Sequence, residues 1–380
     1  MKSVQFLSIF IFAIVLFCQP VHAQQQQGGT LGGYGELHYN DVLYNDNGMN
    51  SPGRLDFHRF ILYASYRFND WVSFYSELEL EHTLLEVDEG GEVALEQAFV
   101  DLSIKPEFGV RAGLLLVPVG IVNPIHEPPT FHGVERPNVE RYIIPSTWRE
   151  SGIGVYGKFQ SGWSYQAYAM AGLKPNGITG GNGIRGARQN GFESTLGNFG
   201  GSARIDYQAN LNLKFGVSYF FSTLRYERDG DLVVKIPELE NTSFNMIEGH
   251  IQYTSSRLEA RGLLAFSGIS NVDELNTEFG NGAGKSQFGG YAELAYDLLP
   301  SLTGKLTEQQ LFVFGRFETY DTQLKTDLIA DNAENERYEY TFGFTYKPVS
   351  QVAFKADYQL LTSAGIKEIH MLNLGVGYNF

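Results

Sequence analysis

The chain has 380 residues, and 28 Lys and Arg against 43 Asp and Glu give a formal net charge of −15. This acidic balance argues against a nucleic-acid partner, because phosphate binding needs a basic surface. Only 19% of the residues are charged, whereas 14% are aromatic and 43 are glycine. Such a composition favours β-strands over helices and argues against disorder.

Residues 1–23 have the pattern of a secretory signal peptide. Lys2 supplies a positive charge, an apolar stretch covers residues 6–17, and small residues precede a cleavage site. We therefore expect a mature chain with a single domain over residues 24–380. The one cysteine, Cys18, lies in the signal peptide, so we expect neither a disulfide nor a thiolate metal site.

The rest of the sequence alternates between apolar and polar residues with a period of two. The last segment, for example, places Leu374 and Val376 on one face and Asn373 and Gly375 on the other. Short strands of a soluble sandwich can alternate in this way, but runs of about ten residues are long enough to cross a bilayer as tilted strands. We predict an all-β fold, a transmembrane antiparallel β-barrel of about 16 strands. The predicted strands lie near 31–39, 56–67, 71–81, 93–104, 109–117, 152–160, 162–171, 199–208, 211–221, 243–254, 257–268, 286–297, 309–319, 336–347, 351–360 and 367–380. In the strand at 93–104 the alternation slips near Gln97, which we interpret as a bulge.

The connections between these strands alternate in length. Short turns and long external loops are typical of outer-membrane barrels, and this arrangement places both termini in the periplasm. The segment 118–151, between strands five and six, is long and rich in proline. An unfilled barrel of this size leaves an aqueous channel, so we predict that this segment folds into the lumen as a constriction, with an external cap as the alternative. Its candidate constriction residues are His126, Glu127, His132, Glu135, Arg136, Glu140, Arg141, Arg149 and Glu150.

Other motifs give little support for metal or cofactor chemistry. The metalloprotease pattern needs two His four residues apart on a helix, which His126 and His132 do not provide. A divalent-ion site from these two residues and Glu135 is a weaker alternative. Residues 181–186 match the dinucleotide fingerprint in form, but no helix follows, and we interpret them as a flexible external loop. No Ser/His/Asp arrangement is identifiable, so we expect no enzymatic activity and no cofactor.

The predicted lumen wall carries acidic and basic residues in nearly equal numbers. Rings of one sign impose ion selectivity, whereas mixed walls do so weakly. The principal wall candidates are Arg59, Glu77, Glu79, Arg111, Arg204, Glu259, Arg261 and Arg316.

Four motifs carry a resemblance to a known family: Asp56-Phe57-His58-Arg59-Phe60, Glu77-Leu78-Glu79-Leu80-Glu81-His82, Phe131-His132-Gly133-Val134-Glu135-Arg136-Pro137 and Ile144-Pro145-Ser146-Thr147-Trp148-Arg149-Glu150. They resemble bacterial porins related to the phosphate-selective porin O/P family, over most of the mature chain. The resemblance implies a sixteen-strand, trimeric diffusion channel in the outer membrane of a Gram-negative bacterium, surrounded by outer-membrane lipid. The closing Phe380 resembles the terminal aromatic signal read by the barrel-assembly machinery.

The phosphate label fits this sequence less well. In that family, selectivity comes from Lys and Arg crowding the constriction. Here Arg136, Arg141 and Arg149 are matched by four loop acids, namely Glu127, Glu135, Glu140 and Glu150. We therefore expect a passive porin for small hydrophilic solutes. The alternatives are a channel that prefers phosphate-like anions or sugars, with Tyr34, Tyr63 and Tyr75 stacking the sugar, and a secreted soluble carbohydrate-binding β-protein.

Overall fold

The structure, a computed structural model, describes residues 28–46, 52–82, 91–229, 232–304, 308–364 and 368–380. The predicted signal peptide lies outside these residues.

Sixteen strands form one closed antiparallel barrel in which each strand pairs with its neighbours along the chain, and the first strand pairs with the last. The predicted fold class is therefore confirmed. The barrel strands are β1 (Gly28–Asn45), β2 (Arg54–Arg67), β3 (Val72–Glu81), β4 (Glu92–Lys105), β5 (Phe108–Leu116), β6 (Arg149–Lys158), β7 (Trp163–Ala171), β8 (Phe199–Gln208), β9 (Leu213–Thr223), β12 (Ser243–Thr254), β13 (Leu258–Ser270), β14 (Ser286–Asp297), β15 (Gln310–Lys325), β16 (Glu336–Val349), β17 (Val352–Ser363) and β18 (Glu368–Asn379). Two further strands, β10 (Tyr226–Asp229) and β11 (Leu232–Lys235), form a separate hairpin.

The alternation of the sequence is the alternation between the two faces of the barrel. In β16, Phe342 and Phe344 point outward and are 58% and 53% exposed, whereas Thr341 and Thr345 point inward and are almost completely buried. A closed barrel satisfies the backbone hydrogen bonds between strands, so that apolar side chains alone can face lipid.

Two β-bulges add inward-facing residues to the wall. Between β1 and β2 the register steps so that His58 is the extra residue, and His58 and Arg59 both face the lumen. Between β3 and β4 the extra residue is Glu96, which therefore lies inward beside Gln97. The predicted slip near Gln97 is thus a bulge, whereas the bulge in β2 was not predicted.

The long connections contain secondary structure that the sequence analysis did not predict. The connection at 222–242 holds the β10–β11 hairpin, and the one at 269–285 holds the helix Val272–Phe279. A short helix, Leu299–Thr303, accounts for the unusual length of the turn at 298–308. Among the described residues, no helix has the length and apolar character needed to cross a membrane.

The largest apolar core lies inside the barrel. Residues 117–148 fold into the lumen, and their Trp148 packs on the wall residue Phe220 with ring centroids 4.3 Å apart. The connection at 172–198 joins this core, since Ile184 is fully buried in it. The interpretation of residues 181–186 as a flexible external loop is therefore wrong. This core fills the lumen beside β4, β5 and β7–β15, and an open space remains against β1–β3 and β17–β18.

Candidate functional site

The open space beside β1–β3 is a cavity of about 650 Å³ at the end of the barrel that carries the long connections. We call it the long-loop cavity. Its wall side comes from β1–β3 with β17 and β18, and its other side comes from the segments 131–149 and 185–190. The charged and histidine side chains that line it are Glu36, His38, Arg54, Asp56, His58, Arg59, Glu79, Glu81, His82, Glu92, Glu135, Arg136, Arg141, Arg149, Arg185 and Arg188.

The four loop acids, which were expected to match the loop arginines, contact other groups of the loops and of the wall. The carboxylate of Glu127 accepts a hydrogen bond from Tyr63, and that of Glu135 accepts one from Asn40 and contacts His38 at 3.1 Å. Glu140 and Glu150 are fully buried and accept hydrogen bonds mainly from backbone N–H groups. The expected matching of loop acids and loop arginines is therefore wrong, because these acids hold the loop together and fix it to the wall.

Besides Arg59, six arginines line the long-loop cavity: Arg54 at the start of β2, and Arg136, Arg141, Arg149, Arg185 and Arg188 on the inward-folded connections. None of them forms an ion pair within the part of the chain that the structure describes. Buried nitrogens of three of them, Nε of Arg136 and Arg149 and Nη1 of Arg185, have no hydrogen-bond partner among the residues that the structure describes. Buried N–H groups of a guanidinium are costly to leave unpaired, so the cluster is a site where an anion would be stabilised.

The sequence analysis missed Arg185 and Arg188, which come from the connection at 172–198. Burial and the positive charges of Arg141 and Arg136 lower the pKa of Arg185 to about 10. Burial and the neighbouring Arg185 lower the pKa of Arg188 to about 9. Burial is the larger cause of both pKa shifts, and the neighbouring positive charges add to it. Gly183, two residues before Arg185, has φ 56° and packs against the carbonyl of Tyr142, where a side chain would not fit.

In contrast, the arginines proposed for the lumen wall are paired with acids. Arg59 contacts Glu36 at 2.5 Å and Glu79 at 3.6 Å, and Arg316 contacts Glu318 at 2.7 Å. The other wall candidates form similar pairs or bind the loop. These contacts are Arg111 with Asp101, Arg204 with Asp206, Arg261 with Glu293, and Glu259 with His132. These wall arginines are therefore locally neutralised, and most of the uncompensated positive charge at the cavity belongs to the inward-folded connections.

The inward loop is fixed at two opposite places. His126 donates from Nδ1 to the carbonyl of Asn123 and from Nε2 to Glu96 at 3.0 Å, with Glu77 at 3.5 Å. Burial alone would lower the pKa of His126, but Glu96 and Glu77 raise it to about 10, so the imidazole is protonated. On the far wall, Nε2 of His132 contacts Glu259 of β13 at 3.0 Å.

The backbone of the same segment is also bound to β17. Val134 donates its N–H to Asp357 at 2.6 Å, and Lys355 donates to the carbonyl of Gly133 at 2.8 Å. His126, His132 and Glu135 therefore bind separate groups, and a metal site formed by these three residues is excluded.

A second cavity of about 340 Å³ lies at the end of the short turns and is lined by Tyr63, Tyr75, His126 and Glu127 among others. Between the two cavities lies a layer of buried polar groups around Glu96 and Tyr34, which are both fully buried. Tyr34 is therefore not accessible for stacking on a sugar, contrary to the expectation.

Phe380 directly follows β18 and closes the barrel. Its N–H donates to the carbonyl of Gly33 at 2.9 Å, and its own carbonyl accepts from Gly33. The ring is 61% exposed on the outside of the barrel and stacks near Phe60 and Tyr378.

The fold is similar to those of solved bacterial porins. An anion-selective porin from Comamonas acidovorans superposes with a TM-score of 0.59 at 14% identity, covering 93% of this chain and 100% of that chain. OmpF of Salmonella typhi gives 0.59 at 10% identity over 94% and 99%, and OprB of Pseudomonas putida gives 0.57 at 11% identity over 94% of each chain. At such identities the likeness shows a porin-like barrel and no more. No family model matches the sequence, so the resemblance to the O/P family is not confirmed.

One relative is much closer in sequence. A protein of Aquifex aeolicus (strain VF5), described as uncharacterized, is 36% identical over 349 residues, which cover 88% of this chain and 76% of that protein. The chain is therefore a sixteen-strand barrel of the same family as this Aquifex aeolicus protein.

Proposed function

We propose that the protein is an outer-membrane porin through which small hydrophilic solutes diffuse passively. The observation that carries this proposal is a closed sixteen-strand barrel with apolar side chains outside and a charged cavity inside. Such a barrel is stable only when lipid covers its outer face. A soluble carbohydrate-binding sandwich does not fit the closed barrel.

The proposal includes the location and assembly of the protein. Residues 1–23 serve as a signal peptide, residues 24–380 form the single mature domain, and both termini lie in the periplasm. A homotrimer is supported by the trimer form of OmpT from Vibrio cholerae, which superposes with a TM-score of 0.55 at 11% identity. Phe380 serves as the signal to the barrel-assembly machinery, since its exposed ring lies at the end of the closing strand. The proposed activity needs no catalytic residue and no cofactor.

The experiment is single-channel recording. The mature chain, refolded in detergent and inserted into a planar lipid bilayer, should give discrete conductance steps, whereas the same sample after heat denaturation should give none. Folding is checked independently by heat-modifiable gel mobility. A folded barrel that inserts but produces no conductance would contradict the proposal.

A second candidate function is a preference for anions, including phosphate-like anions. The five arginines of the inward-folded connections, none of which pairs with a carboxylate among the described residues, favour it, because a cluster of guanidinium groups attracts anions and repels cations. They face a wall that carries Glu36, Asp56, Glu79 and Glu81, so the cavity has a positive and a negative side. The preference for anions follows from the spatial separation of the two signs of charge, since acidic and basic side chains line the cavity in nearly equal numbers.

A further inference from the structure

Three possible metal ligands lie together on the wall of the long-loop cavity. Asp56 and His58 belong to β2, and His82 directly follows the end of β3. The backbone N–H of His82 donates to the carbonyl of His58 at 3.1 Å, which holds the two residues side by side. The β2 bulge turns His58 inward, so all three side chains face the cavity.

The spacing of the three ligand atoms fits a small coordination sphere. Nδ1 of His58 lies 3.3 Å from Oδ2 of Asp56, and Nδ1 of His82 lies 2.9 Å from the same oxygen. All three ligand atoms lie within 4.8 Å of one another. A tetrahedral zinc ion with bonds of about 2.0–2.1 Å has ligands about 3.3 Å apart. These three atoms could therefore contact one ion after small rotations of the side chains.

The electrostatic surroundings favour a cation at this place. The wall arginine Arg59 is already paired with Glu36 and Glu79, and Arg54 lies at the exposed start of β2. Glu81 lines the same wall, and the other lining arginines that form no ion pair among the described residues come from the connections on the other side of the cavity. The three side chains are partly exposed, so the open cavity gives an ion a route in and leaves room for water as a fourth ligand.

We infer that Asp56, His58 and His82 form a binding site for a divalent transition-metal ion on the wall of the long-loop cavity. Two imidazoles and one carboxylate are ligands that suit Zn²⁺, Cu²⁺ and Ni²⁺, whereas Mg²⁺ and Ca²⁺ prefer oxygen ligands. His38 does not take part, since its two ring nitrogens contact Glu36 and Glu135. It stacks on His58 with ring centroids 4.8 Å apart and fixes the orientation of that ring. A bound ion would add positive charge to the acidic side of the cavity.

Titration calorimetry tests this inference by measuring zinc binding to the refolded full-length barrel, which carries no polyhistidine tag. We expect one site with an affinity for Zn²⁺ far above that for Mg²⁺. His58→Gln and His82→Gln should each weaken zinc binding by at least about tenfold, since even the loss of a group that orients a ligand costs about 10–100-fold. His370→Gln is the matched control, because His370 also lies beside a carboxylate, Glu368, but outside the cavity.

The outcomes separate this site from a purely structural cluster. If Asp56 only accepts hydrogen bonds from the two imidazoles, the wild-type barrel will not bind Zn²⁺, and the inference is overturned. Binding that survives both cavity substitutions, or that is lost equally with His370→Gln, also overturns it. Heat-modifiable mobility verifies that each variant is folded. The measurement does not require conduction, so its result stands whether or not the barrel is a channel.

Discussion

Neutralising single arginines of the long-loop cavity should change ion selectivity by an amount that the cavity size determines. A sphere of 650 Å³ has a radius of about 5.4 Å, so an ion at its centre lies about 6 Å from a lining guanidinium. One unit charge at about 6 Å contributes about 0.7 kcal/mol in bulk water and about 2.8 kcal/mol at an effective dielectric constant near 20. The lower value already corresponds to about a threefold change in the local concentration of an ion. Since cations gain what anions lose, the permeability ratio of Cl⁻ to K⁺ should fall by about tenfold per arginine.

Arg149→Gln and Arg185→Gln are the best variants for this test. No side-chain hydrogen bond is made by either residue within the described chain, so their removal should not loosen the loops. Reversal potentials in a salt gradient below about 0.1 M give the permeability ratio while screening is weak. Arg257→Gln is the matched control, because it removes the same charge outside the cavity. An unchanged ratio in both cavity variants, or an equal change in Arg257→Gln, would refute the assignment of selectivity to the arginine cluster.

Three further predictions concern the anchoring, insertion and assembly of the barrel. His126→Gln leaves Glu96 buried without its cation, at a cost of about 3–5 kcal/mol, and should make residues 124–140 sensitive to protease. The pKa of His126 is about 10 against an ordinary value of 6.5, so the anchor is complete below about pH 6.5 and is lost as the pH rises through 10. Wild-type protease resistance should fall in that alkaline range, and resistance unchanged at pH 11 would contradict the assignment. Leu374→Arg puts a charge on the lipid face at a cost of about 2–4 kcal/mol and should reduce heat-modifiable barrel, whereas Met371→Arg on the lumen side of the same strand should not. Deleting Phe380 should sharply reduce folded barrel in the outer membrane, and normal amounts after the deletion would rule out its role as an assembly signal.

The strand number and the faces of the strands could be predicted because the side-chain period of a strand is two. Phe342 and Thr341, for example, take opposite faces as the pattern requires. The inward path of residues 118–151 followed from its length and its place after the fifth strand. The packing of the connection at 172–198 into the lumen could not be predicted in this way, because Ile184 belongs to a glycine-rich stretch with no regular hydrophobic period.

The partners of the charged residues could not be predicted from counts. Glu135 and Arg136 are adjacent in sequence and of opposite sign, yet Glu135 binds His38 while Arg136 faces the cavity. Their separation depends on which wall residues lie opposite the folded loop, and that is a property of three dimensions. Arg185 was missed for the same reason, since it comes from a different connection.

The bulges in β2 and β4 suggest how the lumen of such a barrel can vary between relatives. A substitution exchanges one inward side chain for another, but an inserted residue adds an inward group and leaves the alternation on both sides intact. Deleting His58 should therefore restore a regular strand with the same lipid-facing surface, and deleting Glu96 should do the same in β4. Changes of a single residue in length would thus alter the chemistry of the passage while the membrane-facing surface stays constant.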